Sequence, residues 1–225
     1  MKLILCAFVR VATLIGGAIW SLLLAFFGVL FALWYENIGR PNLIVAVSPT
    51  RTNIKWGTLT TRFLSLEVRN APRRAPLVRR QTATAAHGRV IFMDAAYREV
   101  SGPLHIRWDG KAECIKYLVV GDHVEQRFDP SLVRQGRYID IPPDEGATLA
   151  IAFRFDDETE AFGWSNESYA HPGWRNPDFR LPPGEYVARV TLVSGDSVTT
   201  QDLRFSNLPD DPAGLEFQVN KPRAG

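Results

Sequence analysis

The 225-residue chain is 46% hydrophobic and carries a formal net charge of +2. From Pro41 onward 23 Lys and Arg balance 23 Asp and Glu, so the small excess belongs to the amino-terminal arm and provides no basic stripe for nucleic acid. Two cysteines, Cys6 and Cys114, flank an apolar span, which argues against an intramolecular disulfide and leaves the core to hold the fold.

Val11 to Trp34 is a run of 24 residues without a charged side chain. At about 1.5 Å per residue it is long enough, as a helix, to cross a hydrocarbon layer of roughly 30 Å. A cleaved signal peptide would have a shorter apolar region and end in a small-x-small site; this one ends Phe31-Ala32-Leu33-Trp34-Tyr35, and Trp34 and Tyr35 suit a membrane interface. Leu3-Ile4-Leu5-Cys6 is not a lipoprotein signal, because no hydrophobic region precedes it. The span therefore reads as an uncleaved, single-pass anchor. Lys2 and Arg10 before it nearly balance Arg40 and Arg51 after it; the free amino terminus and Glu36 tip the expectation toward an inside amino terminus and an extracytoplasmic domain.

At 100° per residue, Gly17, Ser21, Ala25, Gly28 and Ala32 share one stripe, onto which Arg10 also projects. Small residues four apart allow a second helix, from a partner or another copy of the chain, to approach closely. The competing reading is that Gly and Ala are simply common in membrane helices. The segments are thus an arm and helix over 1–36, a linker over 37–42 and a domain over 43–225. Gly39 and Pro41 supply the linker's turn chemistry.

Past the linker the apolar period changes to two. Leu43, Val45 and Val47 alternate with neighbours, as do Leu64, Leu66 and Val68, then Leu104, Ile106 and Trp108. Leu149, Ile151, Phe153 and Phe155 are expected to face one way, as are Tyr186, Ala188, Val190 and Leu192; Leu215, Phe217 and Val219 close the chain. Weaker strands are expected near Arg89–Met93, Ile115–Val120, Val124–Phe128, Tyr138–Ile141 and Val198–Phe205. Many short strands without a long amphipathic helix predict a mainly β, antiparallel sandwich behind one transmembrane helix.

Leu181 to Asp196, LPPGEYVARVTLVSGD, resembles the penultimate strand of immunoglobulin-like and fibronectin-type-III-like sandwiches. The resemblance implies a corner role for Tyr186, its hydroxyl bonded to the preceding connection, and a central core position for Trp108. The paired cysteines of antibody domains are missing, and the resemblance bears on fold rather than function.

No nucleophile elbow, zinc-binding helix, phosphate loop, dinucleotide fingerprint or cofactor motif is present, and the four histidines show no metal-ligand spacing. Asp156 to Asp178 stands out as a long interruption between two strands. Loops of that length are commonly functional, and Trp164, Tyr169, His171 and Trp174 make it a candidate surface for a protein partner, a carbohydrate or a peptide. Asp156, Asp157, Glu158 and Glu160 offer hard oxygens suited to calcium, although their spacing matches no calcium loop and a solvated acidic face is the commoner meaning of such a run. Asn166-Glu167-Ser168 is a glycosylation sequon. A second segment, Arg69 to Arg80, places Arg69, Arg73, Arg74, Arg79 and Arg80 among prolines, a candidate patch for anionic headgroups or an acidic partner, weighed against a solvated basic loop. The leading expectation is a non-enzymatic membrane-anchored scaffold, an accessory subunit of a membrane or envelope complex; the alternative is an extracytoplasmic carbohydrate- or peptide-binding module using residues 156–178.

Overall fold

The structure is a computed structural model that describes residues 2–48, 52–56, 59–71, 81–121, 123–208 and 214–218, with the backbone alone for 2–18, 52–56 and 59. One α-helix, α1, covers Lys2–Gly39. Within it Ile19–Gly39 is long and apolar enough to cross a membrane. The helix continues three residues past its expected end. Asn37, Ile38 and Gly39 do not forbid helix, whereas Pro41 excludes the α conformation from the residue before it, so the break falls at Arg40 and the connection shortens to 40–42.

The strands, in chain order, are β1 Leu43–Val47, β2 Thr52–Trp56, β3 Leu59–Asn70, β4 Ala83–Asp94, β5 Glu99–His105, β6 Arg107–Trp108, β7 Ile115–Val120 and β8 His123–Phe128. They continue as β9 Ile139–Ile141, β10 Gly146–Phe155, β11 Ala161–Gly163, β12 Arg180–Leu181, β13 Gly184–Ser194, β14 Ser197–Asn207 and β15 Leu215–Phe217. One antiparallel sheet runs β1-β3-β10-β11-β12, with β2 added to β3 and β6 to β10. The second runs β15-β14-β13-β4-β5, with β9 added to β4. The chain is mainly β behind one apolar helix, as the alternation predicts.

The two sheets share one core. Leu64, Leu66, Val68 and Leu149 of the first meet Val90, Phe92, Leu104, Ala188, Val190 and Phe205 of the second. These are the alternate residues of their strands, and burying them removes apolar surface from water at about 25 cal/mol per Å². Trp108 is fully buried there, its indole N–H donating to Ala86 O at 3.2 Å and Arg137 O at 3.1 Å. The Tyr186 hydroxyl donates to Pro182 O at 2.5 Å, the bond expected of a corner tyrosine.

One expected face is wrong. Leu149, Ile151, Phe153 and Phe155 do not point the same way, because the β3–β10 register shifts between Ala150 and Ala152. Ile151 is the extra residue of a bulge. Leu149 opposite Leu66 and Ala152 opposite Leu64 stay on the core side; Phe153 opposite Phe63, with Phe155 and Ala150, turns to the outer face. That half-turn gives the sheet an aromatic outer surface, which must be covered.

Candidate functional site

The cover is the segment after β10, which is not structureless. It contains β11 and three short 3₁₀ turns, Asn166–Ala170, Pro172–Trp174 and Pro177–Phe179. Its backbone is tied to the bulge, Trp164 N–H donating to Ile151 O at 2.8 Å. Trp164 is 6% exposed and clusters with Phe63, Phe153, Phe155 and Phe162; Trp174 lies 5.0 Å from it, centroid to centroid, and Tyr169 5.3 Å. Such edge-on and tilted rings contribute beyond their buried area. Trp164 is therefore a packing residue, not the contact residue expected, and the segment's aromatics meet the chain's own sheet first.

The acidic run is spent on arginines. Asp156 accepts from Arg62 Nε at 2.7 Å, Glu158 from Arg175 Nε at 2.7 Å, and Glu160 pairs with Arg180. Arg175 also lies over the Phe155 ring at 4.3 Å. Only exposed Asp157 among the four has no such pair given by the structure, and no cluster of metal-ligating side chains occurs among the described residues. The calcium reading of Asp156, Asp157, Glu158 and Glu160 is thus corrected: the carboxylates diverge to separate cations. The sequon is also closed, because Asn166 is buried, its amide donating to Val133 O at 2.7 Å.

Asn166 belongs to a network that sequence reasoning missed. Arg107, 6% exposed, donates through Nη1 to Asn166 Oδ1 at 2.8 Å and Ala112 O at 3.1 Å, and through Nη2 to Lys111 O at 2.7 Å. Its guanidinium lies 5.2 Å from the Tyr169 ring. Arg137 pairs with Glu167 beside it. Burial pushes the Tyr169 hydroxyl up to about 12 against the opposing field of Arg107, so it remains a neutral donor at any ordinary pH. The network locks the 109–114 loop to the Asn166–Ala170 turn and fixes the base of the β7–β8 hairpin.

Among the described residues that hairpin pairs with no other strand. Its base is held by Asp129, whose N–H donates to Cys114 O at 2.9 Å and whose carboxylate meets Lys116 at 2.5 Å and Ser131 Oγ at 2.7 Å. These contacts, Lys116 foremost, hold the Asp129 carboxyl below its ordinary range. Above the base every described residue from Lys116 to Arg127 is exposed. Tyr117 is 61% exposed, Val119 78%, Val120 50% and Val124 64%. Between the hairpin and the 169–174 segment lies a cleft of about 550 Å³, lined by Ile115, Gln126, Phe128, Tyr169, His171 and Trp174 together with Glu113, Arg127 and the intervening backbone. Tyr169, His171 and Trp174 thus share one site, as their place in one segment suggested.

The other sequence candidates lie elsewhere. Ser21, Ala25, Gly28 and Ala32 are exposed on α1, and a methyl group added at Gly28 would meet nothing within 4 Å; Gly17 lies on the helix where only backbone is described. Arg69 pairs with Glu67 at 2.6 Å. Arg73, Arg74, Arg79 and Arg80, like Val219, fall outside the described residues.

No family model matches the chain, and no curated protein does. A solved structure of a family 123 glycoside hydrolase from Clostridium perfringens is similar at 8% identity and a TM-score of 0.32, over 74% of this chain and 27% of that one. The chain spans about a quarter of that protein's length, and a likeness at that level carries no argument about activity.

Proposed function

We propose that the protein is a membrane-anchored, non-enzymatic interaction module, its domain extracytoplasmic, that presents the β7–β8 hairpin to another protein chain as an accessory part of a membrane complex. The observation that carries this reading is the hairpin's apolar exposure: Tyr117, Leu118, Val119, Val120 and Val124 all face solvent. The register gathers Tyr117, Val119 and Val124 on one face, and contiguous exposed apolar surface marks contact sites in soluble domains. An unpaired two-stranded ribbon is also only marginally stable alone, which favours a role in which it is covered. The sandwich itself we read as immunoglobulin-like, on the Tyr186 corner bond and the buried Trp108.

A photoreactive residue in place of Val119, in the full chain in its own membrane, tests the proposal. Irradiation should give a covalent adduct with a protein chain that the same probe at Asp196, in the exposed turn after β13, does not give. Equal labelling at both positions contradicts it. A second reading rests on the cleft. Tyr169, His171 and Trp174 on its wall fit a sugar ring or the side chains of a short peptide, and Trp174→Ala should then abolish a calorimetric binding signal that the wild type shows.

A further inference from the structure

Among the described residues β8 leaves one edge unpaired, and that edge has a particular chemical pattern. The register pairs Ile115 with Phe128 and Val120 with His123. Continued one step, it pairs Cys114 with Asp129, which are joined by the Asp129 N–H to Cys114 O bond. Hydrogen-bonded and non-bonded pairs alternate along antiparallel strands. Residues 123, 125 and 127 of β8 therefore turn their backbone groups inward to β7, and Val124, Gln126 and Phe128 turn theirs outward. Three consecutive residues of β8 line the cleft against a single residue of β7, so the cleft opens along this β8 edge.

Read outward from Gln126, β8 is Val124-Glu125-Gln126-Arg127-Phe128: apolar, acidic, neutral, basic, apolar. Charges on an edge strand ordinarily keep it from pairing. Here the signs are opposite and symmetric about Gln126, so the strand is complementary to itself in the antiparallel sense. Pairing two copies about Gln126 uses only the outward-turned backbone groups. It sets Glu125 opposite Arg127 of the second copy on one face, and Val124 opposite Phe128 on the other, twice over by symmetry. β7 offers no such match of charges, because Lys116 is the one charged residue of that strand. Within one chain Arg127 already meets Glu125 at 3.0 Å, both remaining largely exposed, so the pair is available to a second partner.

Building on the interaction reading above, we infer that the chain recognises a second copy of itself, the two β8 edges joining the hairpins into one four-stranded sheet. Because the strands are antiparallel, Val124 at the tip of each hairpin lies opposite Phe128 of the other, which brings the tip to the cleft bordered by Tyr169, His171 and Trp174. The six-residue strands bury less than the roughly 1,600 Å² of a standard interface. Confining both chains to one bilayer raises their effective concentration and compensates for the small area.

A disulfide tests the register. In a hydrogen-bonded antiparallel pair Cα atoms are about 5.5 Å apart, inside the roughly 4.4–6.8 Å that a disulfide spans. Full-length chain carrying Cys6→Ser and Gln126→Cys, oxidised in its membrane, should run as a covalent dimer, while Asp196→Cys in the same background should not. Adding Glu125→Arg or Arg127→Glu alone places like charges opposite each other and should lower the dimer yield about tenfold, as expected for some 1.4 kcal/mol of repulsion. Co-expressing the two variants should restore it, because the arginine introduced at position 125 of one chain then faces the glutamate introduced at position 127 of the other; a role confined to one chain gives no such rescue. A yield from Gln126→Cys no higher than from Asp196→Cys overturns the inference, as does a yield indifferent to these charges. If the Val119 probe captures only a different protein, self-pairing fails while the interaction reading stands; if it captures no chain, both fail.

Discussion

A buried arginine is costly unless its donors are met, and Arg107 meets that cost with two carbonyls, an amide and an aromatic ring. The arrangement depends on a glycine. A Cβ at Gly136 would stand 2.7 Å from Asn166 Nδ2 and 3.1 Å from Arg107 Nη1, so Gly136→Ala should destabilise the domain by about 1–3 kcal/mol, read as a lower urea midpoint. His105 marks the same region by its titration. Burial, then the charge of Arg137, holds its pKa below the ordinary 6.5, with Arg89 and His87 adding to the shift and Glu167 opposing it. As pH falls through about 6.5 the unfolded chain takes up this proton first, so stability declines, and the decline ends once the folded imidazole is protonated too. His105→Gln should remove that part of the slope below about pH 7 in urea melts; an unchanged slope would show that other groups carry it. Neither residue was marked by sequence, because alternation places both on the outer face of their strands, and only the turns folded over them bury Arg107.

At the scale of elements, alternation was legible wherever one face is apolar and the other polar. β13 shows this, with Tyr186, Ala188, Val190 and Leu192 inward, and the weaker strands β4, β7, β8, β9 and β14 also formed near their expected positions. The bulge at Ile151 was not legible. In Leu149-Ala150-Ile151-Ala152-Phe153 both phases are apolar, and the small alanines fit either side, so the period does not register the extra residue. The aromatic outer face follows from that one residue, and with it the packing role of Trp164. Likewise the arginines that take up Asp156, Glu158 and Glu160 come from β3, the 3₁₀ segment and β12, distant in sequence from the carboxylates. Ile115–Val120 forms the weaker strand expected of it, but a short apolar run does not itself tell a covered strand from an exposed one, and the structure leaves Tyr117-Leu118-Val119-Val120 in solvent.

The whole molecule joins a helix suited to a bilayer to a sandwich through residues 40–42, a connection of about 10 Å when extended. In the interaction reading proposed above, the exposed hairpin is the surface that another chain covers. The most direct measurement is the native mass of the full-length protein in mild detergent, compared with a variant carrying Val119→Ser, Val120→Ser and Val124→Ser. These side chains lie outside the core, so the urea midpoint of the two should agree, while the wild type should migrate as an assembly and the variant as a single chain. A wild type that already runs as a lone chain, or a variant that keeps the wild-type mass, would contradict the account.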